Sequence, residues 1–209
     1  QYFSQGYLKK GKKVGMWKKW FKNGQVSDIN TRNTEGRMLR GQSFYKDGQK
    51  EWDVYYKNAI IREVKRWHMN GIISAEMSFD ELSRGLISNW YKDGQIKETG
   101  SYDISEKPSI RYGLHTEWTI NGYKASQGLY ESDKKVGKWT YWHYENGKKK
   151  TEGFYKSGEK IGEWSKWGLD GALLDKIDGL DSSMIIFEDN ELTRVLDDFA
   201  IQKLEEQET

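Results

Sequence analysis

The sequence predicts an all-β protein: an elongated single antiparallel sheet of stacked β-hairpin repeats, about seven units, with a C-terminal amphipathic helix as its cap. Three observations predict it. Asn-Gly and Asp-Gly pairs recur at nearly constant spacing. Aromatic residues hold fixed places around those pairs. Rings, rather than aliphatic side chains, supply most of the large apolar surface, with 10 Trp, 13 Tyr and 7 Phe in a chain that is only 35% hydrophobic.

The recurring glycines are Gly24, Gly48, Gly71, Gly94, Gly122, Gly147 and Gly171, at spacings of 24, 23, 23, 28, 25 and 24 residues. A fixed period of this length marks a repeat architecture, in which each unit buries its apolar surface against its neighbours. Asn or Asp precedes every one of these glycines. Four residues before the glycine stands Trp20, Phe44, Trp67, Trp90, Trp118 or Trp167; in the sixth unit, one residue longer, His143 takes that place beside Trp142. Eight residues after it come Tyr56, Phe79, Tyr102, Tyr130 and Tyr155. Asn-Gly and Asp-Gly suit a two-residue type I′ turn, which requires positive φ at both central positions. Each pair is therefore expected to close a hairpin, and a second glycine cluster, as in Gly11–Gly15 and Gly158–Gly162, to join one hairpin to the next.

Taken in order, the first 14 residues read as the second half of a repeat, with Gly6-Tyr7 matched to Gly100-Ser-Tyr102 and Gly128-Leu-Tyr130. The units over Asn30–Gly71 are weaker, having lost the leading glycine and first Trp. The 28-residue spacing holds a longer loop around Pro108, where no ladder donor is needed. Trp17/Trp20 and Trp164/Trp167 are three apart, so either a bulge intervenes or rings line both faces. The array is expected over 1–174 and an acidic strand and helix cap over 175–209. Met184–Phe187 reads as a short strand. Leu192, Val195, Leu196, Phe199 and Leu204 form one apolar stripe of a helix over Glu191–Glu206, capped by Asp189 or Asn190 and covering an open edge of the sheet.

The block Tyr155-Lys-Ser-Gly158-Glu-Lys-Ile-Gly162-Glu-Trp164-Ser-Lys-Trp167-Gly-Leu-Asp-Gly171 resembles the MORN repeat, and more closely the variant of bacterial YwqK-type antitoxin proteins. Gly15-Met-Trp17-Lys-Lys-Trp20-Phe-Lys-Asn-Gly24 and Gly137-Lys-Trp139-Thr-Tyr-Trp142-His-Tyr-Glu-Asn-Gly147 follow the same pattern. The resemblance covers about Gln1–Leu174. It implies an open sheet that acts as a binding surface, and an immunity or antitoxin protein that neutralises a cognate toxin or effector by direct contact.

The residues themselves narrow the function class. Without cysteine there is no disulfide scaffold, cysteine zinc site, iron–sulfur site or thiol catalysis. The longest apolar runs, such as Met184–Phe187, are too short for a transmembrane segment. His68, His115 and His143 lie in different repeats without zinc-ligand spacing, and His68 and His143 occupy ring positions. No catalytic motif or cofactor fingerprint stands out, so the expectation is a binding protein without cofactor or metal. The candidate partner-binding rings are Trp17, Trp20, Trp67, Trp90, Trp118, Trp139 and Trp142, since exposed Trp is a favoured interface anchor. If Trp164 is buried, Trp164→Ala destabilises by about 3–5 kcal/mol.

The net charge of +2 hides two poles. Gln1–Gln25 holds seven Lys and no acid, while Asp170–Thr209 holds 12 acids and 3 bases. Lys9, Lys10, Lys12, Lys13, Lys18 and Lys19 form a candidate basic patch for lipid headgroups. Hence the alternative function, a cell-wall or phospholipid-headgroup binding module, in which rings could also hold choline by cation–π contact. The acidic end disfavours nucleic acid. The chain begins Gln1-Tyr2-Phe3 without Met, and with no cysteine it reads as a periplasmic or exported mature chain, with the cytoplasm as the alternative.

Overall fold

The computed structural model describes residues 3–105 and 107–178. They form fifteen strands: β1 (Phe3–Lys9), β2 (Lys12–Trp20), β3 (Val26–Arg32), β4 (Met38–Phe44), β5 (Lys50–Lys57), β6 (Ile60–Trp67), β7 (Ile73–Phe79) and β8 (Arg84–Trp90). Then follow β9 (Ile96–Asp103), β10 (Ile110–Trp118), β11 (Lys124–Glu131), β12 (Lys134–Trp142), β13 (Lys149–Lys156), β14 (Glu159–Trp167) and β15 (Leu173–Asp178). Every strand pairs antiparallel with the next, in one open sheet whose spatial order is the chain order. No helix occurs among the described residues. The expected helix over Glu191–Glu206 and strand at Met184–Phe187 lie outside them. The sheet itself continues past Leu174 to the end of β15, because strand pairing needs backbone groups rather than the repeat's rings.

The Asn/Asp-Gly pairs do close hairpins, but not by type I′ turns. At the first, Gly24 N–H donates to Phe21 O (3.0 Å) and Phe21 N–H to Gln25 O (2.8 Å), leaving a three-residue loop. Among the loop residues only Gly24 has positive φ (85°). This is a type I turn followed by a left-handed residue, the three-residue hairpin with a glycine bulge. Asn23 therefore keeps ordinary φ and uses its side chain instead: its Oδ1 accepts Gln25 N–H at 3.2 Å. Asp47, Asn70, Asp93 and Asp170 accept from Gln49, Ile72, Gln95 and Ala172 in the same way. True two-residue loops with positive φ at both positions lie on the opposite edge of the sheet, at Lys10-Gly11, Asn58-Ala59, Ser132-Asp133 and Ser157-Gly158.

Wide bulges explain the rings. Gln127 pairs with Thr140 and Leu129 with Val136, so Gly128 alone faces Gly137, Lys138 and Trp139. Gly6 faces Trp17 and Gly153 faces Trp164 across the same irregularity, and Gly100 pairs with His115 beside one. The indole or imidazole lies flat where a facing side chain would stand. A Cβ on Gly128 would come 2.2 Å from the Trp139 ring, and one on Gly100 2.1 Å from His115. Only glycine fits there. By this register Leu8, not Tyr7, stands where Tyr130 and Tyr155 stand. Tyr7 instead matches Leu129, since Trp17 Nε1–H donates to Tyr7 O and Trp139 Nε1–H to Leu129 O, both at 3.1 Å.

β2 pairs regularly with β1 from Lys18 to Trp20, so Trp17 and Trp20 stand on opposite faces. Rings therefore line both faces. One face carries a ladder of rings in edge-to-face or stacked contact, Tyr102, His115, Tyr130, Trp139, Tyr141, Tyr155 and Trp164. Its centre is the core: Trp139 is 2% exposed, Trp164 4% and Tyr155 8%. Such T-shaped pairs add about 0.5–1.5 kcal/mol each beyond the area they bury.

Candidate binding surfaces

The expected partner-binding rings divide between the two faces. Trp17 and Trp139 belong to the ladder face, and Trp139 is removed from solvent because it fills the space over Gly128. It is thus a core ring and not a recognition anchor. Trp20, Trp67, Trp90, Trp118 and Trp142 end β2, β6, β8, β10 and β12 on the other face, with Trp167 ending β14. All six are half-buried. The repeat brings them to one strand level, in a row beside the Asn/Asp-Gly turns, two strands or about 10 Å apart for the most part. Phe44 fills the same position on β4.

The residue after Phe44, Trp67, Trp90 and Trp142 ties one unit to the next. Tyr45 O–H donates to Trp67 O and Tyr91 O–H to Trp118 O, both at 2.8 Å. His68 Nε2 meets Trp90 O at 3.1 Å, and His143 Nε2 meets Trp167 O at 3.0 Å. Because a carbonyl only accepts, each histidine presents Nε2–H there. His68 and His143 thus do the work of a repeat tyrosine. At the turns, Asn23, Asn70 and Asn146 Nδ2 donate to Lys46, Lys92 and Leu169 O of the following unit.

Cations sit over the rings of both faces. On the ladder face Lys13, Lys135 and Lys160 Nζ lie 4.5, 4.3 and 4.1 Å from the ring centroids of Trp17, Trp139 and Trp164, and Arg111 lies 4.1 Å from that of Tyr130. Each cation precedes the ladder ring of its own unit by four residues, Arg111 preceding His115. On the other face Lys50, Lys124 and Lys149 cover Trp67, Trp142 and Trp167. These contacts contribute roughly 0.5–2 kcal/mol each and shield ring surface from water. Lys135 is flanked by Trp139, Tyr141 and Tyr155 and donates to Tyr141 Oη at 2.7 Å; burial pushes its pKa below the usual lysine value. Burial also raises the pKa of Tyr141, helped by its contact with Tyr155, and lowers that of His115.

The basic patch is also divided. Lys9, Lys10 and Lys12 lie at the first hairpin tip, where Lys9 pairs with Lys12 across the turn. Lys13 and Lys19 line a hollow with Trp17 on the ladder face, while Lys18 lines one with Tyr7 and Met16 on the other. None of the six forms an ion pair among the described residues. Phe3, Tyr7, Leu8 and Met16 of the same hairpin are 65, 76, 64 and 51% exposed. By contrast, the middle of the sheet is internally neutralised. Asp53 accepts from Arg40, Lys50 and Gln42, and Lys65 pairs with Glu76. Burial opposes the charge on Asp53, but the three donors outweigh it and hold its pKa at about 2.

Sequence reasoning missed two patterns that were present: a glycine eleven residues before Trp17, Trp139 and Trp164, and the cation four residues before each. Among the described residues no group of three or more His, Asp or Glu side chains is placed to hold a metal, and no helix is long and apolar enough to cross a membrane. No protein-family model matches the chain, and no curated protein is similar to it in sequence.

Proposed function

We propose that this protein is a bacterial immunity or antitoxin protein of the YwqK-type MORN-repeat kind, which neutralises a toxic effector by direct protein–protein binding and performs no catalysis. The observation that carries the reading is the row of half-buried Trp20, Trp67, Trp90, Trp118, Trp142 and Trp167 along a sheet face that no second layer covers among the described residues. Evenly spaced aromatic anchors with lysines beside them suit a partner that lies across several repeats, the rings supplying affinity and the charges rate and register. In this reading Trp139 supports the surface from the opposite face. The proposed setting is the periplasm or another exported compartment, with the cytoplasm as the alternative. Co-expression with the product of a neighbouring toxin-like gene is the test. Protection of the host and a co-purifying complex, both lost in the Trp90→Ala/Trp118→Ala variant while its circular dichroism still shows a folded sheet, are expected. Undiminished toxicity with no complex overturns the reading.

The first hairpin favours a second reading, binding to anionic lipid headgroups or the cell wall. Its lysines lack acidic partners among the described residues and stand beside exposed Phe3, Tyr7 and Leu8. Vesicles containing phosphatidylserine should retain the protein at low salt, and Lys9→Gln/Lys10→Gln/Lys12→Gln should release it. Absence of retention at low salt removes this reading.

A further inference from the structure

The ladder face near the end of the described chain carries cations that make no ion pair among the described residues, with Glu117 acting on Lys135 through space. Lys160 Nζ and Lys135 Nζ lie over Trp164 and Trp139, with no ion pair for either among the described residues. Arg111 adds a third cation over Tyr130, offset in part by Asp133 at 2.8 Å. Between β12 and β14 lies an open hollow lined by Tyr141, Thr151, Tyr155, Lys150 and Lys160, with Trp142 and Tyr144 at its strand-end rim. Its floor is aromatic and its rim cationic. A ligand that fits must therefore bring apolar groups and carboxylates together.

Such a ligand is part of the chain itself. Residues 179–209 hold nine acids, Asp181, Glu188, Asp189, Glu191, Asp197, Asp198, Glu205, Glu206 and Glu208, against two bases, Arg194 and Lys203. Interleaved with them are Phe187, Leu192, Leu196, Phe199 and Leu204. The described chain also ends close to these cations. Asp178 is paired with Glu163, level with the bulge that seats Trp164 and a few residues from Lys160. From β15 to β10, which carries Arg111, is five strand spacings, about 24 Å. Thirty-one residues reach that far several times over, at about 3.3 Å per extended residue. The other cationic region, the first hairpin, is thirteen spacings away, about 62 Å, and closing the longer distance costs more chain entropy.

We infer that the acidic segment 179–209 docks in cis on the ladder face, with its carboxylates on Lys135, Lys160 and Arg111 and its apolar side chains on the Tyr141–Tyr155 hollow. Trp20, Trp67, Trp90 and Trp118 of the row on the opposite face stay open in this arrangement. The segment thus seals the one-layer sheet on one side only and directs any partner to the other.

Zero-length carbodiimide cross-linking of the full chain, mapped by mass spectrometry, tests this. Coupling of Lys160 and Lys135 to carboxylates between Glu188 and Glu206 is expected, reduced at least fivefold in 0.5 M salt. A 1:1 mixture of ¹⁵N-labelled and unlabelled chains should give cross-links almost wholly within one isotopic chain. Mixed-isotope links would overturn the inference in favour of a second copy. Links mainly to Lys9–Lys19, or none, overturn it outright. Because the chain lacks cysteine, a spin label on Asp198→Cys provides an independent readout. It should broaden the indole N–H signals of Trp139 and Trp164 and spare that of Trp20, and equal broadening of all three would refute the placement. Neither readout involves a toxin, so failure here leaves the proposed neutralising function standing, and the reverse holds too.

Discussion

The centre of the sheet and its C-terminal third solve the same packing problem in different ways. In β9–β14 a glycine on one strand faces a ring on the next, and the rings stack into a ladder that holds the most buried large side chains. In β3–β8 the corresponding pairs are Asn30/Gly41, Val54/Val64 and Met77/Ile87, in register and without the wide bulge. At Val54/Val64 and Met77/Ile87 side chain meets side chain, and ion pairs such as Arg40–Asp53 and Lys65–Glu76 supply part of the cohesion. The lesson is that the turn period and the ring–glycine lock are separable. Hairpin closure keeps the backbone in step along all fifteen strands, whereas glycine and ring must be gained or lost together, because each leaves either a clash or a void without the other.

The sharpest break in this comparison is Trp139→Ala. Removing a ring that is 2% exposed from the middle of the ladder should cost about 3–5 kcal/mol in urea unfolding, and Trp164→Ala about as much, with Trp118→Ala losing less than half of that. Equal losses for Trp139 and Trp118 would show that the two faces are equally load-sharing. Next comes glycine. Gly128→Ala forces a methyl into the Trp139 indole and should cost about 3 kcal/mol. In the centre, Gly41→Ala meets the Trp52 ring edge at 3.1 Å and should cost less than about 1 kcal/mol. A thermal scan of the two variants compares them directly.

Acid titration separates the regions by charge. Asp53 keeps its charge down to about pH 2 in the folded chain, below the ordinary carboxylate value. Its contribution is therefore present above about pH 4 and lost as the pH falls through 2, on the order of 2 kcal/mol in all. Asp53→Asn should flatten the acid limb of stability by that amount, while leaving the indole contacts of Trp139 unaltered by near-ultraviolet circular dichroism. The smallest effect belongs to the ladder. Burial lowers the pKa of His115, so the unfolded chain takes up a proton near the usual histidine value of about 6.5 before the folded one does. Stability should fall as the pH drops below that value, and His115→Trp should abolish the slope if the imidazole merely replaces the repeat's indole.

Much of this was legible in the sequence. The seven Asn/Asp-Gly pairs located the hairpins, and the rings four residues ahead of them located the tryptophan row. The turn type was not legible, because Asn-Gly serves both the type I′ pair and the type I turn with a glycine bulge. At Asn23 it is the Asx hydrogen bond to Gln25 that goes with the second. Nor was the fate of Trp139 legible. Trp139 and Trp142 read alike as candidates, and only the three-residue offset across the pleat separates a core ring from a half-buried one. The Gly6/Tyr7 match failed for a related reason: a one-residue difference along a strand changes the face.

By itself, the sequence determined the number of units, their hairpin form, the charge poles and the turn glycines, since all of these follow from local backbone preference and period. Tertiary structure alone decided which rings are core and which stay within reach of a partner. In a one-layer sheet that choice depends on which strand lies opposite, and on whether that strand offers a glycine for the ring to cover.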